Sequence, residues 1–303
     1  MLRNLLLFLS EQRHLRRWME TSRLARGLTR RFVAGETLER ELEVCRGLNR
    51  AGILVTVDHL GEKVTSLDEA RASLEAYLEA LGGIAAEKLN ASISIKLSQF
   101  GLELSEEVCR ENVDTLVRAA RDVDGRVEVD MESHPYVDRN LRIVTAMHER
   151  YGGVRAVIQA YLYRSEADVA ALSRLGVPVR LCKGAYREPA AVAFPRKSQV
   201  DENYKRLTEV LLEQGVYPAL ATHDPEMIQH ALRFAQRKGI SEEGFEFQML
   251  YGIRRDLQDR LLAAGHRLRL YVPYGTAWYP YWMRRLAERP ANLLFLARNL
   301  FRR

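Results

Sequence analysis

Val177-Pro178-Val179-Arg180-Leu181-Cys182, followed at once by Lys183-Gly184-Ala185-Tyr186-Arg187-Glu188, is the stretch that decides the fold. A short apolar run reads as a buried strand, and the abrupt change to Lys-Gly-Ala gives that strand a flexible, charged exit that a ligand can approach closely. The same device recurs seven times. Apolar segments with polar residues just past them lie at about Ile53 to Val57, Ser92 to Leu97, Arg126 to Met131, Arg155 to Ala160, Tyr217 to Ala221, Phe245 to Leu250 and Arg267 to Val272. Between them, apolar residues fall at helical spacing, as in Leu74, Leu78 and Leu81, then Val113, Leu116 and Val117, then Leu207, Val210 and Leu211. Eight strands separated by helix-length segments, over about 250 residues, predict parallel crossover units closed into an α/β (β/α)8 barrel of the TIM type. An open doubly wound sheet is the structural alternative, and the regular strand spacing favours the barrel.

With 303 residues, 47% of them hydrophobic, the chain is long enough to bury one large core. The expected organisation is an N-terminal helical arm over residues 1–45 and a barrel over residues 46–303. No apolar run approaches the ~20 residues of a membrane span. Met1 to Leu9 is apolar but short and meets Glu11, Gln12 and Arg13 without a small-residue cleavage site, so no signal peptide is expected and the chain should stay in the cytoplasm. Cys45, Cys109 and Cys182 are odd in number and widely spaced, which suggests neither a disulfide framework nor a structural zinc site. Gly-x-Gly-x-x-Gly and Gly-x4-Gly-Lys are both missing, so any nucleotide cofactor must be held by something other than a Rossmann unit or a P-loop.

The charge is uneven. Residues 1–31 hold eight arginines (3, 13, 16, 17, 23, 26, 30 and 31) against Glu11 and Glu20, a surplus of six that equals the whole net charge of +6. Leu2, Leu5, Leu6 and Leu9, followed by Leu15, Trp18 and Met19, give this arm the pattern of a basic amphipathic helix. Two explanations compete: a helix packed on the barrel with a solvated arginine face, or adsorption to an anionic membrane surface at the inner face of the cell membrane. Nucleic acid is not an expected partner, because no recognition fold or interleaved aromatic-basic platform is present.

Active sites of such barrels lie at the C-terminal ends of the strands, and there the polar residues converge. The exits read Asp58-His59-Leu60-Gly61-Glu62, Lys96 within Ser94-Ile95-Lys96-Leu97-Ser98-Gln99, Asp130-Met131-Glu132, Gln159-Ala160-Tyr161, Arg180 with Lys183, Thr222-His223-Asp224, Gln248, and Tyr271-Val272-Pro273-Tyr274-Gly275. A lysine in apolar surroundings is costly unless paired, so Lys96 needs an anion, and Asp130 on the neighbouring strand is the candidate. Such a pair either fixes the barrel structurally or faces a bound substrate. His223 reads as a satisfied barrel histidine or, flanked by Thr222 and Asp224, as a ligand contact. Past the last strand lies a dense aromatic run, in which Pro280 suits a first helical turn and places Tyr281 with Arg284 and Arg285 at i+3 and i+4. Paired arginines match a carboxylate by bidentate geometry, although adjacent arginines are more commonly a solvated face.

Taken in order, these segments resemble the proline dehydrogenase family over about Arg30 to Arg303. The resemblance rests on Asp58-His59-Leu60-Gly61-Glu62, Ile95 to Gly101, Val129 to Glu132, Gln159 to Arg164, Arg180 to Tyr186, Ala221 to Asp224, Phe245 to Gly252 and Arg284 to Asn292. It implies oxidation of L-proline to Δ1-pyrroline-5-carboxylate, the first step of proline catabolism, with a hydride passing from proline C5 to N5 of noncovalently bound FAD and electrons leaving to membrane quinone. It implies Asp130, Arg180 and Lys96 in catalysis, and Lys96, Tyr271, Tyr281, Arg284 and Arg285 around the substrate. The implied cofactor contacts are Met131, Gln159, Arg180, Lys183, Gly184, Ala185, Tyr186, Arg187, Thr222, His223, Asp224 and Gln248. A Glu62–Arg284 ion pair would gate the mouth, and the last helix would sit over it in a distorted barrel. The chain looks like the monofunctional bacterial type, since nothing past Arg303 forms an aldehyde dehydrogenase domain, which leaves room for a separate pyrroline-5-carboxylate dehydrogenase as partner. The quinone acceptor strengthens the membrane reading of the arm. His59 and Arg187 stand where relatives can carry other residues, and Tyr274 adds a second tyrosine beside Tyr271, which bears on substrate selectivity.

Two rivals come from other classes. A metal-dependent barrel isomerase or hydrolase would use Asp58, Glu132, His134, His223 and Asp224, but lysine and arginine crowd the same mouth. A membrane-associated scaffold would use the basic arm and leave the charged strand exits unexplained.

Overall fold

Apolar and polar residues alternate along several of the strands, and that alternation separates an outward apolar face from a polar interior. The computed structural model describes residues 31–61, 63–279, 281 and 283. In β1 (Leu54–His59), Val55 and Val57 pack outward into the main core while Thr56 and Asp58 face the barrel interior. β2 (Ala91–Ile95) turns Ile93 and Ile95 outward and Ser92 and Ser94 inward. The remaining strands are β3 (Val127–Val129), β4 (Val154–Gln159), β5 (Val179–Cys182), β6 (Ala219–Ala221), β7 (Glu246–Leu250) and β8 (Leu268–Tyr274). All neighbouring strands are parallel, and β8 closes onto β1 to complete an eight-stranded barrel. The open-sheet alternative is thereby excluded.

The outward valines, isoleucines and leucines meet helices α2 (Leu67–Ala86), α3 (Glu106–Asp122), α4 (Val137–Tyr151), α5 (Ser165–Arg174), α6 (Lys197–Gln214), α7 (Pro225–Lys238) and α8 (Arg255–Ala263), which follow successive strands. Each such side chain contributes roughly 1.5–3 kcal/mol when fully buried. Local signals start several of these helices: Ser66 Oγ accepts from Glu69 N at 3.2 Å, Ser105 Oγ accepts from Val108 N at 3.3 Å, and Asp224 caps α7 with Pro225 at its first position. Gly239, at φ +65°, ends α7 in the left-handed region.

The preceding helix, α1 (Leu38–Arg50), packs on β1 and β8 and buries Leu42 and Cys45 in the main core. Residue 45, after which a division was expected, lies inside α1. Residues 1–30 lie outside the described residues. Among the described residues no helix is long and apolar enough to cross a membrane.

Strand limits differ from the sequence reading where chemistry intervenes. β6 begins at Ala219 rather than Tyr217, since Tyr217 lies at φ +43°, a left-handed conformation incompatible with a strand ladder. β8 runs on through Pro273 to Tyr274. Tyr271 O accepts from Tyr251 N at 3.0 Å on the β7 side, and Pro273, two residues on, presents the same side to Ala34, whose N–H donates to its carbonyl at 3.0 Å. The missing proline N–H thus lies beyond the β7 ladder and interrupts nothing.

Candidate active site

Barrel interiors are usually filled by branched aliphatic side chains; here the filling is ionic. Glu246 on β7 accepts from Arg155 Nη1 at 2.7 Å and, through both oxygens, from Arg269 Nε at 2.8 Å and Nη2 at 3.1 Å. Glu128 on β3 accepts from Thr56 and Ser92 hydroxyls at 3.0 and 2.8 Å and pairs with Arg180. Burial alone would raise both carboxyls, but the surrounding arginines win: Glu128 is held far below the carboxylate range by Arg180, Arg155 and Arg269, and Glu246 is pulled to about 2 by Arg269 and Arg155. The registers explain how such large groups fit. Ala219 stands level with Arg180, and Ala221 with Gln248, so short β6 supplies small side chains where its neighbours supply long ones.

One layer closer to the mouth, Lys96 sits just past β2 and opens the short helical turn Leu97–Phe100. Its Nζ lies 3.0 Å from Asp58 Oδ1, 3.1 Å from Asp130 Oδ2 and 3.2 Å from Tyr271 Oη. Asp130 also accepts from Ser94 Oγ at 2.9 Å, Arg180 Nη1 at 2.7 Å and Tyr271 Oη at 2.8 Å. Gln248 Oε1 takes Arg180 Nε at 2.5 Å, and the Arg180 guanidinium lies 5.3 Å from the Tyr271 ring centre. Four acids (Asp58, Asp130, Glu128, Glu246) thus face four bases (Lys96, Arg155, Arg180, Arg269) inside the barrel. Among the described residues these interior charges balance.

The mouth holds its protonation states. Burial would discharge Lys96, but Asp58 and Asp130 keep it well above the ordinary lysine value, and burial with Asp130 and Asp58 nearby keeps Tyr271 a phenol. Burial opposes ionisation of Asp130, yet Lys96 and Arg180 hold it below the usual value. Burial drives His59 toward the neutral form and pushes the Cys182 thiol up to about 12. Such a site orients and polarises.

The β4, β5 and β6 exits form a second region. Gln159 is 3% exposed; its Nε2 donates to Met131 O at 3.2 Å, while its Oε1 is buried without a partner among the described residues. Gly184 has φ +112°, and a Cβ there would meet the Tyr161 ring at 2.3 Å, so only glycine lets the backbone pass. Lys183 Nζ bridges Asp201 at 2.5 Å and Asp224 at 2.8 Å. Thr222 Oγ1 accepts from Asp224 N at 3.1 Å, and His223 Nε2 accepts from Leu250 N at 2.9 Å. Ala185, Tyr186 and Arg187 are exposed. Met131 lies in a small cluster with Val137, Val157, Tyr161, Leu162 and Ala193.

An amide oxygen without a donor among the described residues and a glycine cradle offer a flavin an acceptor for a ring N–H and close backbone approach, with Lys183 adjoining them, its charge already met by Asp201 and Asp224. These residues fit the cofactor that the sequence implies.

Lys96, Asp130, Arg180, Gln248 and Tyr271 are brought together as one cluster, and Tyr281 is buried. Glu62, Arg284, Arg285 and the helix expected over the mouth lie outside the described residues. Asp58 as the second anchor of Lys96, Ser94, and the deeper Glu128, Glu246, Arg155 and Arg269 were missed by the motif reading. Polar residues spaced by two within apolar runs, as in Ser92-Ile93-Ser94-Ile95-Lys96 and Glu128-Val129-Asp130, were the signal for them. The residues of the metal-site rival are engaged separately: Asp58 with Lys96, Glu132 with Ser98, His134 with Glu188, His223 with Leu250 N and Asp224 with Lys183.

A family model described as Proline dehydrogenase matches residues 42–298. Proline dehydrogenase 1 of Bacillus subtilis (strain 168) is 40% identical over 303 residues, covering 100% of both chains. Proline dehydrogenase of Deinococcus radiodurans is 40% identical over 280 residues, covering 91% of this chain and 90% of its own. Among solved structures, proline utilization A (PutA) from Bdellovibrio bacteriovorus inactivated by N-propargylglycine superposes with a TM-score of 0.82 at 26% identity, over 87% of this chain. The match spans 33% of that longer protein.

Proposed function

The chain belongs to the proline dehydrogenase family, and from that premise we propose that it oxidises L-proline to Δ1-pyrroline-5-carboxylate with noncovalently bound FAD, at the mouth built around Lys96, Asp130, Arg180 and Tyr271. When bound, the flavin supplies the two-electron acceptor for the hydride leaving proline C5. The remaining work falls to the protein's own side chains. Asp130 fixes Lys96, Arg180 and Tyr271 against one another, so the donors facing the reacting ring are preorganised rather than reoriented during the reaction. Arg180, locked by Glu128, Asp130 and Gln248, keeps its cationic charge beside the exits assigned to the cofactor. Gln159, Lys183, Gly184, Thr222 and His223 would hold the cofactor.

The observation that carries the reading is that Lys96, Asp130, Arg180 and Tyr271 form one hydrogen-bonded cluster at the mouth, which suits hydride removal guided by orientation and electrostatics. Because Lys96 and Arg180 are already paired with Asp58, Asp130 and Glu128, a substrate carboxylate needs additional cations. Arg284 and Arg285 are proposed for that role, with Glu62 closing over Arg284 to exclude water. Membrane quinone is the proposed final acceptor, reached at an anionic surface through the arginine-rich arm. The test is anaerobic titration of the purified, FAD-loaded protein with L-proline. Bleaching of the flavin bands is expected, and a spectrum that stays oxidised at saturating proline would remove the proposal.

A further inference from the structure

The β5 exit leaves Ala185, Tyr186 and Arg187 exposed, yet the side chain of the next residue, Glu188, is only 3% exposed. Burying a carboxylate is costly unless several donors meet it. Here the donors come from two neighbouring strand exits. His134, past β3, donates its backbone N–H to Glu188 Oε1 at 2.8 Å and sets Nδ1 2.5 Å from Oε2. Tyr161, past β4, donates its hydroxyl to Oε1 at 3.3 Å. The same Tyr161 ring occupies the space a Cβ on Gly184 would need.

Backbone bonds hold both ends of this segment: Tyr161 N donates to Lys183 O at 2.9 Å, and Phe194 N donates to Tyr161 O at 2.8 Å. Between them the chain runs over the surface without a helix or strand, apart from a single bridge between Leu162 and Ala193. Glu188 pins its middle. A loop ordered before its ligand arrives avoids the ordering cost at binding, so affinity follows how firmly the loop is held.

We infer that His134, Glu188 and Tyr161 form a latch that preorganises the β5 exit loop for the dinucleotide cofactor, with His134 and Glu188 acting as positioning residues. This inference rests on the flavin reading above and extends it to groups outside the charged mouth. Their effect is on cofactor retention and loop order, and neither touches the reacting atoms.

The experiment compares the parent, His134→Leu and His134→Asn as full-length proteins, by hydrogen exchange of the 183–192 peptide without flavin and by FAD titration. His134→Leu removes the side-chain donor and should speed exchange of that peptide at least tenfold and weaken FAD binding at least tenfold. Asparagine places an amide N–H close to the position of Nδ1, so His134→Asn should return both quantities to within about threefold of the parent. Strand peptides exchanging as in the parent serve as the fold control; if they do not in His134→Leu, Glu188→Gln takes its place with the same directions expected. Unchanged loop exchange would show that there is no latch, and faster exchange with unaltered FAD affinity would show that the latch serves something other than the cofactor. A parent protein that binds no FAD would sink the cofactor reading itself, and this role with it, which the flavin-free exchange measurement separates from failure of the latch.

Discussion

Replacing Lys96 with methionine should reveal that its main structural partner is Asp58, which the motif reading overlooked, rather than Asp130. Lys96 Nζ is nearly equidistant from the two carboxylates, 3.0 and 3.1 Å, and at an effective dielectric of ~20 each attraction is worth about 5 kcal/mol before desolvation offsets most of it. The difference lies in what remains after the ammonium is gone. Asp130 keeps Arg180, Ser94 and Tyr271. Asp58, whose side chain is 2% exposed, has no other side-chain hydrogen bond among the described residues. Removing one partner of a buried pair costs about 3–5 kcal/mol, and the 28% exposure of Lys96 places the expected loss near the lower end, about 3 kcal/mol. Two double-mutant cycles measured by urea unfolding separate the contributions. Lys96→Met with Asp58→Asn should show a coupling of about 2 kcal/mol, the double variant being more stable than the sum of the singles, whereas Lys96→Met with Asp130→Asn should couple by less than about 1 kcal/mol. Equal couplings, or none with Asp58, would refute this account of the mouth.

Acid should unlock the barrel interior. Glu246 is held at about 2, below the roughly 4.3 of an unfolded glutamate, so its contribution of about 3 kcal/mol is present above pH ~4.3 and is lost as pH falls toward 2; urea midpoints level from pH 7 to 5 and then falling steeply are expected. Gly184→Ala should weaken FAD binding at least tenfold, because φ +112° is strained for alanine and its Cβ meets Tyr161. Adding Tyr161→Ala should restore only part of that affinity, removing the clash but not the strain, and full restoration would rule out the backbone argument. Arg284→Met and Arg285→Met should each raise KM for proline more than tenfold, since a lost charge-assisted contact costs about 1.5–3 kcal/mol; steady-state values within twofold of the parent would return both arginines to a solvated face.

What the sequence determined by itself is whatever has a short period. Strand and helix alternate because apolar residues recur at intervals of two and of three to four, and both patterns are set by neighbours along the chain. The strand exits were legible for the same reason: Lys183-Gly184-Ala185 and Thr222-His223-Asp224 stand where an apolar run stops. Pairing is another matter. Tyr271 reaches Asp130 across 141 residues and Arg269 reaches the Val55 carbonyl across 214, contacts that exist only once β8 has closed onto β1. Closure also decides which acid each base meets. Asp58 and Asp130 each follow a valine in a valine-rich stretch and look alike in sequence, yet their partners differ because β1 and β3 flank β2 on opposite sides and only Asp130 pairs with Arg180. Even Glu188, one charged residue among several in an exposed stretch, becomes a buried anchor only because the β3 and β4 exits deliver His134 and Tyr161 to it. Local chemistry prescribes the elements, and the ring they close into chooses the partners, because a buried charge is tolerated only where tertiary structure supplies its counter-charge.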